Sequence, residues 1–336
     1  MKRALEKIAA LQDLTREEAS SAMCEIMEGR ATEAQIGAFL LGLKLKGETA
    51  EELTGFVEIM RHKSVRIAVE DENAIDMCGT GGDRSGTFNI STVASFVAAG
   101  AGVTVAKHGN RSVSSSCGSA DVLRALGVNI EVSPNIVEQC VNRIGIGFLF
   151  APLFHPSMKF AAKPRAELGV KTCFNILGPM TNPAGVSRQL VGTFDAQTSK
   201  LMADVFANLR RKRIVLVSSD DGMDEVSLGA PTNVIELEED AVRKSYSLPS
   251  TSYGLAHVER ETIRGGSPAE NADIALGVLQ GGRGAYRDTV IANSSMALLV
   301  AGKASSLYEG VARSAESIDS GKAMSKLQQL REITTR

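Results

Sequence analysis

The stretch Cys78-Gly79-Thr80-Gly81-Gly82-Asp83-Arg84-Ser85-Gly86-Thr87-Phe88-Asn89-Ile90-Ser91-Thr92 follows the short apolar run Ala74 to Met77 and opens the apolar helical stretch Val93 to Ala101. A run of that kind, a glycine turn and a helix in succession are the marks of a strand feeding a helix. Gly79, Gly81 and Gly82 let backbone N–H groups approach an anion closely, and Asn89, Ser91 and Thr92 put polar side chains at the helix start, where the dipole favours phosphate. The stretch reads as a phosphate cradle. Its spacing fits neither the P-loop pattern nor the dinucleotide fingerprint, which argues against a nucleotide-hydrolysing or dinucleotide enzyme.

Downstream the same alternation recurs at Val103 to Ala106, Phe148 to Phe150 and Ile214 to Val217, each an apolar run that leads towards a loop and a helical stretch. This predicts an α/β domain with a mostly parallel central sheet and ligand sites at the carboxyl ends of its strands. The second such end carries Lys107-His108-Gly109-Asn110-Arg111-Ser112-Val113-Ser114-Ser115-Ser116-Cys117-Gly118-Ser119. Two cations, a histidine, an amide and many hydroxyls suit a polyphosphate. Upstream, residues 1–65 read as short helices. Thr15-x-x-Glu18, Thr32-x-x-Gln35 and Thr49-x-x-Glu52 each fit the capping box, and Gly29 and Gly47 stand where two helices should stop. Ile36, Phe39, Leu40 and Leu43, and then Leu53, Phe56, Val57 and Met60, keep the spacing of one buried helical face. A bundle this small is expected to bury its apolar faces against the rest of the chain or a second subunit.

The 336 residues suffice for one large or two moderate domains, and a net charge of -2 provides no general attraction for nucleic acid or an anionic membrane. No apolar stretch reaches the ~20 residues of a membrane span, and the first residues lack the pattern of a signal peptide, so the chain is expected in the cytoplasm. The five cysteines are odd in number and scattered, with no C-x-x-C pair. They are expected to be reduced packing residues rather than zinc ligands or nucleophiles, Cys78 and Cys117 included.

Taken together, the Gly79 to Asp83 turn, Asn89-Ile90-Ser91-Thr92, the Lys107 to Arg111 loop, His155-Pro156, Arg165, Asn175 to Pro183 and Asp221-Gly222-Met223-Asp224-Glu225 resemble the anthranilate phosphoribosyltransferase family nearly end to end. The resemblance implies a small helical domain, residues 1–70 joined by a returning segment near 165–187, beside an α/β domain over 73–336. It implies a pentosyltransferase of tryptophan biosynthesis that joins anthranilate to 5-phosphoribosyl 1-pyrophosphate, homodimeric through its helical domain. Gly79, Gly82, Asp83, Thr87, Asn89, Ile90, Ser91, Thr92, Lys107, Asn110, Arg111, Ser112, Ser114, Ser115 and Ser119 would hold the phosphoribosyl donor. Gly79, Asn110 and Arg165, walled by His108 and His155, would hold anthranilate. Lys107, Asn110 and Arg165 would carry the reaction, and Lys171 would add a second cation for the acceptor. Ser91, Asp224 and Glu225 would hold Mg²⁺, whose preference for hard oxygens suits adjacent acids. Ser218 and Phe154 depart from the family by standing where relatives often carry histidine. The rivals are a pyrimidine-nucleoside phosphorylase of the same fold, which resembles this chain without the Asn110 context or the Asp224-Glu225 pair, and a non-catalytic nucleic-acid-binding relative, which the net charge opposes.

Overall fold

A computed structural model of the chain describes residues 1–83, 85–111, 117–238 and 242–335, with the backbone alone at 242. The chain begins with α1 (Lys2–Ala9), α2 (Arg16–Met27), α3 (Glu33–Lys46) and α4 (Ala50–His62). Thr15, Thr32 and Thr49 each cap a helix through a complete capping box, with the hydroxyl on the N3 backbone and the N3 side chain returning to the cap. The chain leaves α3 through Gly47 at φ 89 and turns after α2 at Gly29, φ 70, a left-handed backbone that glycine tolerates without a Cβ penalty.

Strands and helices alternate from there: β1 (Ile75–Gly79), α5 (Ile90–Gly100), β2 (Val105–Gly109), α6 (Ser119–Ala125), α7 (Pro134–Gln139) and β3 (Ile146–Phe150). Next come the short α8 (Ala151–Phe154), α9 (Lys159–Leu168) and α10 (Phe174–Leu177), then β4 (Arg188–Gly192), α11 (Ala196–Asn208), β5 (Arg213–Ser219), β6 (Thr232–Glu238) and β7 (Val242–Leu248). Four helices end the chain, α12 (Pro268–Leu279), α13 (Ala285–Val300), α14 (Leu307–Asp319) and α15 (Lys322–Thr335). The strands form one sheet in the order β3-β2-β1-β4-β5-β6-β7. β3 to β5 run parallel, and β6 and β7 are antiparallel. The four strands expected from sequence are present with shifted ends, while β4, β6 and β7 had not been foreseen. β7 is an edge strand whose residues 243–247 are exposed and include Arg243 and Lys244, charges that blunt an open edge.

α5 is apolar almost all round, and it is buried between the sheet and α13, α14 and α15. A Cβ on Gly100 would lie 2.7 Å from the Ala323 nitrogen, so the small side packs α15 onto α5. On the other face, α1 to α4 share one core with Ala161 of α9, Phe174, Leu177 and Met180, and with Val191, Met202, Phe206, Ile214 and Leu216 of the sheet and α11. The buried faces of the N-terminal helices are therefore covered within the chain, by the segment after β3 and by the sheet, while Leu41 and Leu45 of α3 stay exposed. Arg61 Nε donates to the Met180 carbonyl at 2.7 Å, a further tie between α4 and that segment. Among the described residues no helix is long and apolar enough to cross a membrane. All five cysteines are free thiols, and burial raises the Cys78 pKa well above its usual value, opposite to what a nucleophile needs.

Candidate active site

The order β2-β1-β4 places a topological switch at β1, where the chain runs first to one side and then to the other; ligands of open α/β sheets enter at such a point, past the carboxyl ends. Gly79 and Gly192 face each other there, and Thr80 N–H donates to the Gly192 carbonyl at 2.9 Å. The loop after β5 folds over this end. Asp224 Oδ2 accepts from Gly81 N–H at 2.8 Å, and Asp224 N–H donates to Asp83 Oδ2 at 3.4 Å. A Cβ on Gly79 would lie 2.5 Å from Asp224 Oδ2, so the carboxylate approaches the backbone only because the side chain is missing.

Glu225 Oε1 accepts from Ser91 N–H at 3.1 Å, in the first turn of α5, which is the anion position of a helix N-terminus. Lys107 reaches the same corner from β2. It is buried, donates to the Met77 carbonyl and to Ser91 Oγ at 3.2 Å, and burial depresses its pKa. Burial, and then the facing Asp83 carboxylate, push Asp224 up to about 7; burial and then Asp224 push Glu225 up to about 8. Asp83, Asp224 and Glu225 thus form one acidic corner beside Lys107. Among the described residues no set of three or more His, Cys, Asp or Glu side chains has a metal-cage arrangement. The donor set nonetheless fits Mg²⁺, which keeps several waters, takes one or two carboxylates and bridges substrate phosphates. Asp220 and Asp221 hold the loop, accepting from Asn233 Nδ2 at 2.7 Å and Ser227 Oγ at 2.6 Å.

His108, next to Lys107 on β2, faces His155; both histidines are buried, with ring centroids 5.2 Å apart. Burial, then His155, lowers His108 to about 3, and burial lowers His155 to about 4, so both rings are neutral. His108 Nδ1 lies 3.3 Å from the Gly178 carbonyl. A carbonyl only accepts, so Nδ1 carries the proton and the buried, unpartnered Nε2 is a free acceptor. His155 Nε2 is likewise without a partner among the described residues. Arg165, half-buried on α9, sits 4.9 Å from the Phe174 ring; no carboxylate pairs with it among the described residues, and burial lowers its pKa.

Gly79, Gly82, Asp83, Ser91, Lys107, Asp224 and Glu225 thus gather at one strand end. Asn110 is exposed, with Oδ1 on Arg111 N–H at 2.8 Å and its carbonyl accepting from Ser119 Oγ at 3.3 Å. The Arg111 guanidinium turns to Glu131 at 2.7 Å and over Phe150, leaving its backbone to the loop. Asn89 Nδ2 donates to the Cys117 carbonyl at 3.1 Å and leaves Oδ1 buried and without a partner among the described residues. Ile90 and Thr92 are buried in the first turn of α5, and Ile90 can offer a ligand only backbone atoms. Thr87 bridges to Arg264, in a strap that also holds Gly86 and Phe88. Ser112, Ser114 and Ser115 lie outside the described residues.

Two residues of this region escaped the reading of the sequence. Asp76 is fully buried on β1, accepts from His108 N–H at 3.0 Å and Gln189 Nε2 at 3.3 Å, and so holds β2 and β4 to β1 beneath the site. An acid inside an apolar strand just before a glycine turn was its available signal. Gly192 carried none, because its importance comes from Asp224.

Residues 71–324 match a family model described as the glycosyl transferase family a/b domain, and residues 2–64 match that family's helical bundle domain. A protein of Pelotomaculum thermopropionicum named anthranilate phosphoribosyltransferase is 48% identical over 334 residues, which is 99% of this chain and 96% of its own length. The chain belongs to the anthranilate phosphoribosyltransferase family. A crystal structure of anthranilate phosphoribosyltransferase from Thermus thermophilus superposes with a TM-score of 0.92 at 38% identity, over 99% of both chains. Anthranilate phosphoribosyltransferase from Saccharomyces cerevisiae, solved in complex with PRPP and Mg, superposes with a TM-score of 0.91 at 25% identity, over 99% of this chain and 97% of that one.

Proposed function

We propose that the chain transfers the phosphoribosyl group of 5-phosphoribosyl 1-pyrophosphate (PRPP) to the amine of anthranilate, giving N-(5-phosphoribosyl)anthranilate and pyrophosphate, a pentosyltransferase step of tryptophan biosynthesis. The observation that carries the reading is a phosphate cradle and a pair of adjacent carboxylates meeting at one strand end, Lys107 on Ser91 and Glu225 on the Ser91 N–H, in a chain of this family.

The chemistry follows from where charge develops. As the diphosphate leaves C1 of the ribose, negative charge grows on its oxygens, and Lys107, the glycine-loop N–H groups and the α5 N-terminus stabilise it electrostatically. Asp224 and Glu225, with Ser91 close by, would hold Mg²⁺, which would supply neutralising charge for those oxygens. Gly79, Gly82, Asp83, Thr87, Asn89, Thr92, Asn110 and Ser119, with the backbone at Ile90 and Arg111, complete the donor site, to which Ser112, Ser114 and Ser115 belong by family position. Arg165 receives the anthranilate carboxylate, Asn110 reaches the same ligand, and His108, with its bare Nε2 acceptor, and His155 wall the pocket. An aromatic amine is neutral near pH 7, so no strong base is needed and alignment of the two substrates dominates the rate. The helical part, residues 1–70 with the segment near 165–187, supplies Arg165 against the α/β part, and two copies pair through it. The work is that of a cytoplasmic enzyme.

The test follows anthranilate fluorescence after mixing with PRPP and Mg²⁺. Signal loss that EDTA abolishes, and an Arg165→Ala variant whose anthranilate KM rises by roughly 10- to 100-fold, the worth of one charged hydrogen bond, are expected. A folded protein that leaves the fluorescence unchanged would overturn the proposal, and phosphorolysis of a pyrimidine nucleoside would then be assayed.

A further inference from the structure

Lys171 follows α9, beyond Gly169, which closes that helix at φ 61, and it is the one cation of the acceptor-side segment that reaches across to the glycine loop among the described residues. Its Nζ donates to the Gly82 carbonyl at 2.8 Å and stands 4.3 Å from the Phe194 ring centroid; no carboxylate pairs with it among the described residues. Gly82 sits at φ 73, and a Cβ there would lie 2.8 Å from Nζ and 3.0 Å from Cε. Both facts matter for the peptide that joins Gly82 to Asp83. A glycine at positive φ lets a neighbouring peptide rotate at little cost, so this plane needs an external hold. In a trans peptide the C=O and N–H point in opposite directions. With the Gly82 carbonyl drawn to Lys171, the Asp83 N–H is turned the other way, and it has no partner among the described residues. On the far side the same loop is tied to the Asp224-Glu225 loop through Gly81 and Asp83.

We propose that Lys171 is a positioning residue of the donor site: it locks the Gly82–Asp83 peptide so that the Asp83 N–H is presented to the phosphoribosyl donor, and it makes the segment carrying Arg165 a support of the phosphate cradle. The inference rests on the function proposed above, but its test does not depend on turnover. PRPP binding in the presence of Mg²⁺ and without anthranilate is measured by calorimetry for the wild type, Lys171→Met, which keeps the stem against Phe194 and removes the donor, and Lys171→Arg, which keeps the charge and its place over the ring. The expected result is donor affinity weakened on the order of 10-fold in Lys171→Met, the worth of one charge-assisted hydrogen bond, and recovered to within about twofold in Lys171→Arg. In turnover the KM for the donor should rise in parallel, the anthranilate KM should stay within about twofold, and Tm should stay within about 2 °C, which separates positioning from general loss of packing. Unchanged donor affinity in Lys171→Met, an arginine variant no better than methionine, or an anthranilate KM rising as much as the donor's would overturn it. Wild-type protein that binds the donor with this Lys171 dependence but leaves anthranilate untouched would count against the proposed reaction and for the role of Lys171.

Discussion

Replacing Gly192 by alanine isolates one contact on which the Asp224-Glu225 loop depends. Gly192 closes β4 opposite Gly79, and its φ lies outside the left-handed region, so the backbone accepts alanine and the added Cβ is the whole perturbation. That Cβ would meet the Asp224 carbonyl group head-on, 2.6 Å from its carbon and closer still to its oxygen, whereas ordinary contact begins near 3.4 Å. The Asp224 peptide must retreat by at least 0.8 Å, the difference between those two distances. The retreat carries the carboxylates of Asp224 and Glu225 with it. Mg²⁺ demands near-octahedral geometry at about 2.0–2.1 Å, and a misplacement of about 1 Å in a reacting assembly costs on the order of 10²-fold in rate. Overpacking at a strand end destabilises by about 1–3 kcal/mol, which a domain of this size tolerates. kcat/KM is therefore expected to fall on the order of 100-fold with a raised Mg²⁺ requirement, read from anthranilate fluorescence across a Mg²⁺ titration. Gly277→Ala on α12, where an added Cβ meets nothing within 4 Å, serves as the control and should keep wild-type activity. A Gly192→Ala enzyme within about threefold of wild type at ordinary Mg²⁺ would refute the reasoning, because the loop would then have yielded without moving its carboxylates.

His108 and His155, lowered to about 3 and about 4 from an ordinary value near 6.5, make stability depend on acid. Both are neutral when folded while the unfolded chain takes up protons below pH ~6.5, so their contribution is complete above that pH and is lost as pH falls towards 4 and then 3, by up to roughly 1.4 kcal/mol per pH unit for each ring. Thermal unfolding from pH 7.5 to 4.5 checks this: the Tm of a His108→Gln, His155→Gln double variant should fall less steeply with acid than that of the wild type, and equal slopes would contradict the assignment. Thr32→Ala removes the hydroxyl that caps α3 and should cost about 1 kcal/mol in chemical denaturation with kcat unchanged, since Thr32 is exposed and its hydroxyl serves the Gln35 N–H.

Much of this protein is legible in its sequence. The capping boxes at Thr15, Thr32 and Thr49 formed as their residues dictate, because each depends on a hydroxyl and an acid or amide only three positions apart. The glycine loop after β1 and the cation-bearing loop after β2 were equally readable, since a strand, a turn and a helix start are local events. β4 was not. Its Arg188-Gln189-Leu190-Val191-Gly192 has polar residues at one end and a span too short for periodicity to register, and only its pairing between β1 and β5 makes it central. Tertiary structure alone decided that Asp224, far along the chain, would press on Gly79 and Gly192, that Glu225 would take the N–H of Ser91, and that Lys171 would hold Gly82. Short-range chemistry is written in neighbouring residues, but the crevice at a topological switch exists only once distant strands have been ordered by their packing, and no window of sequence contains that order.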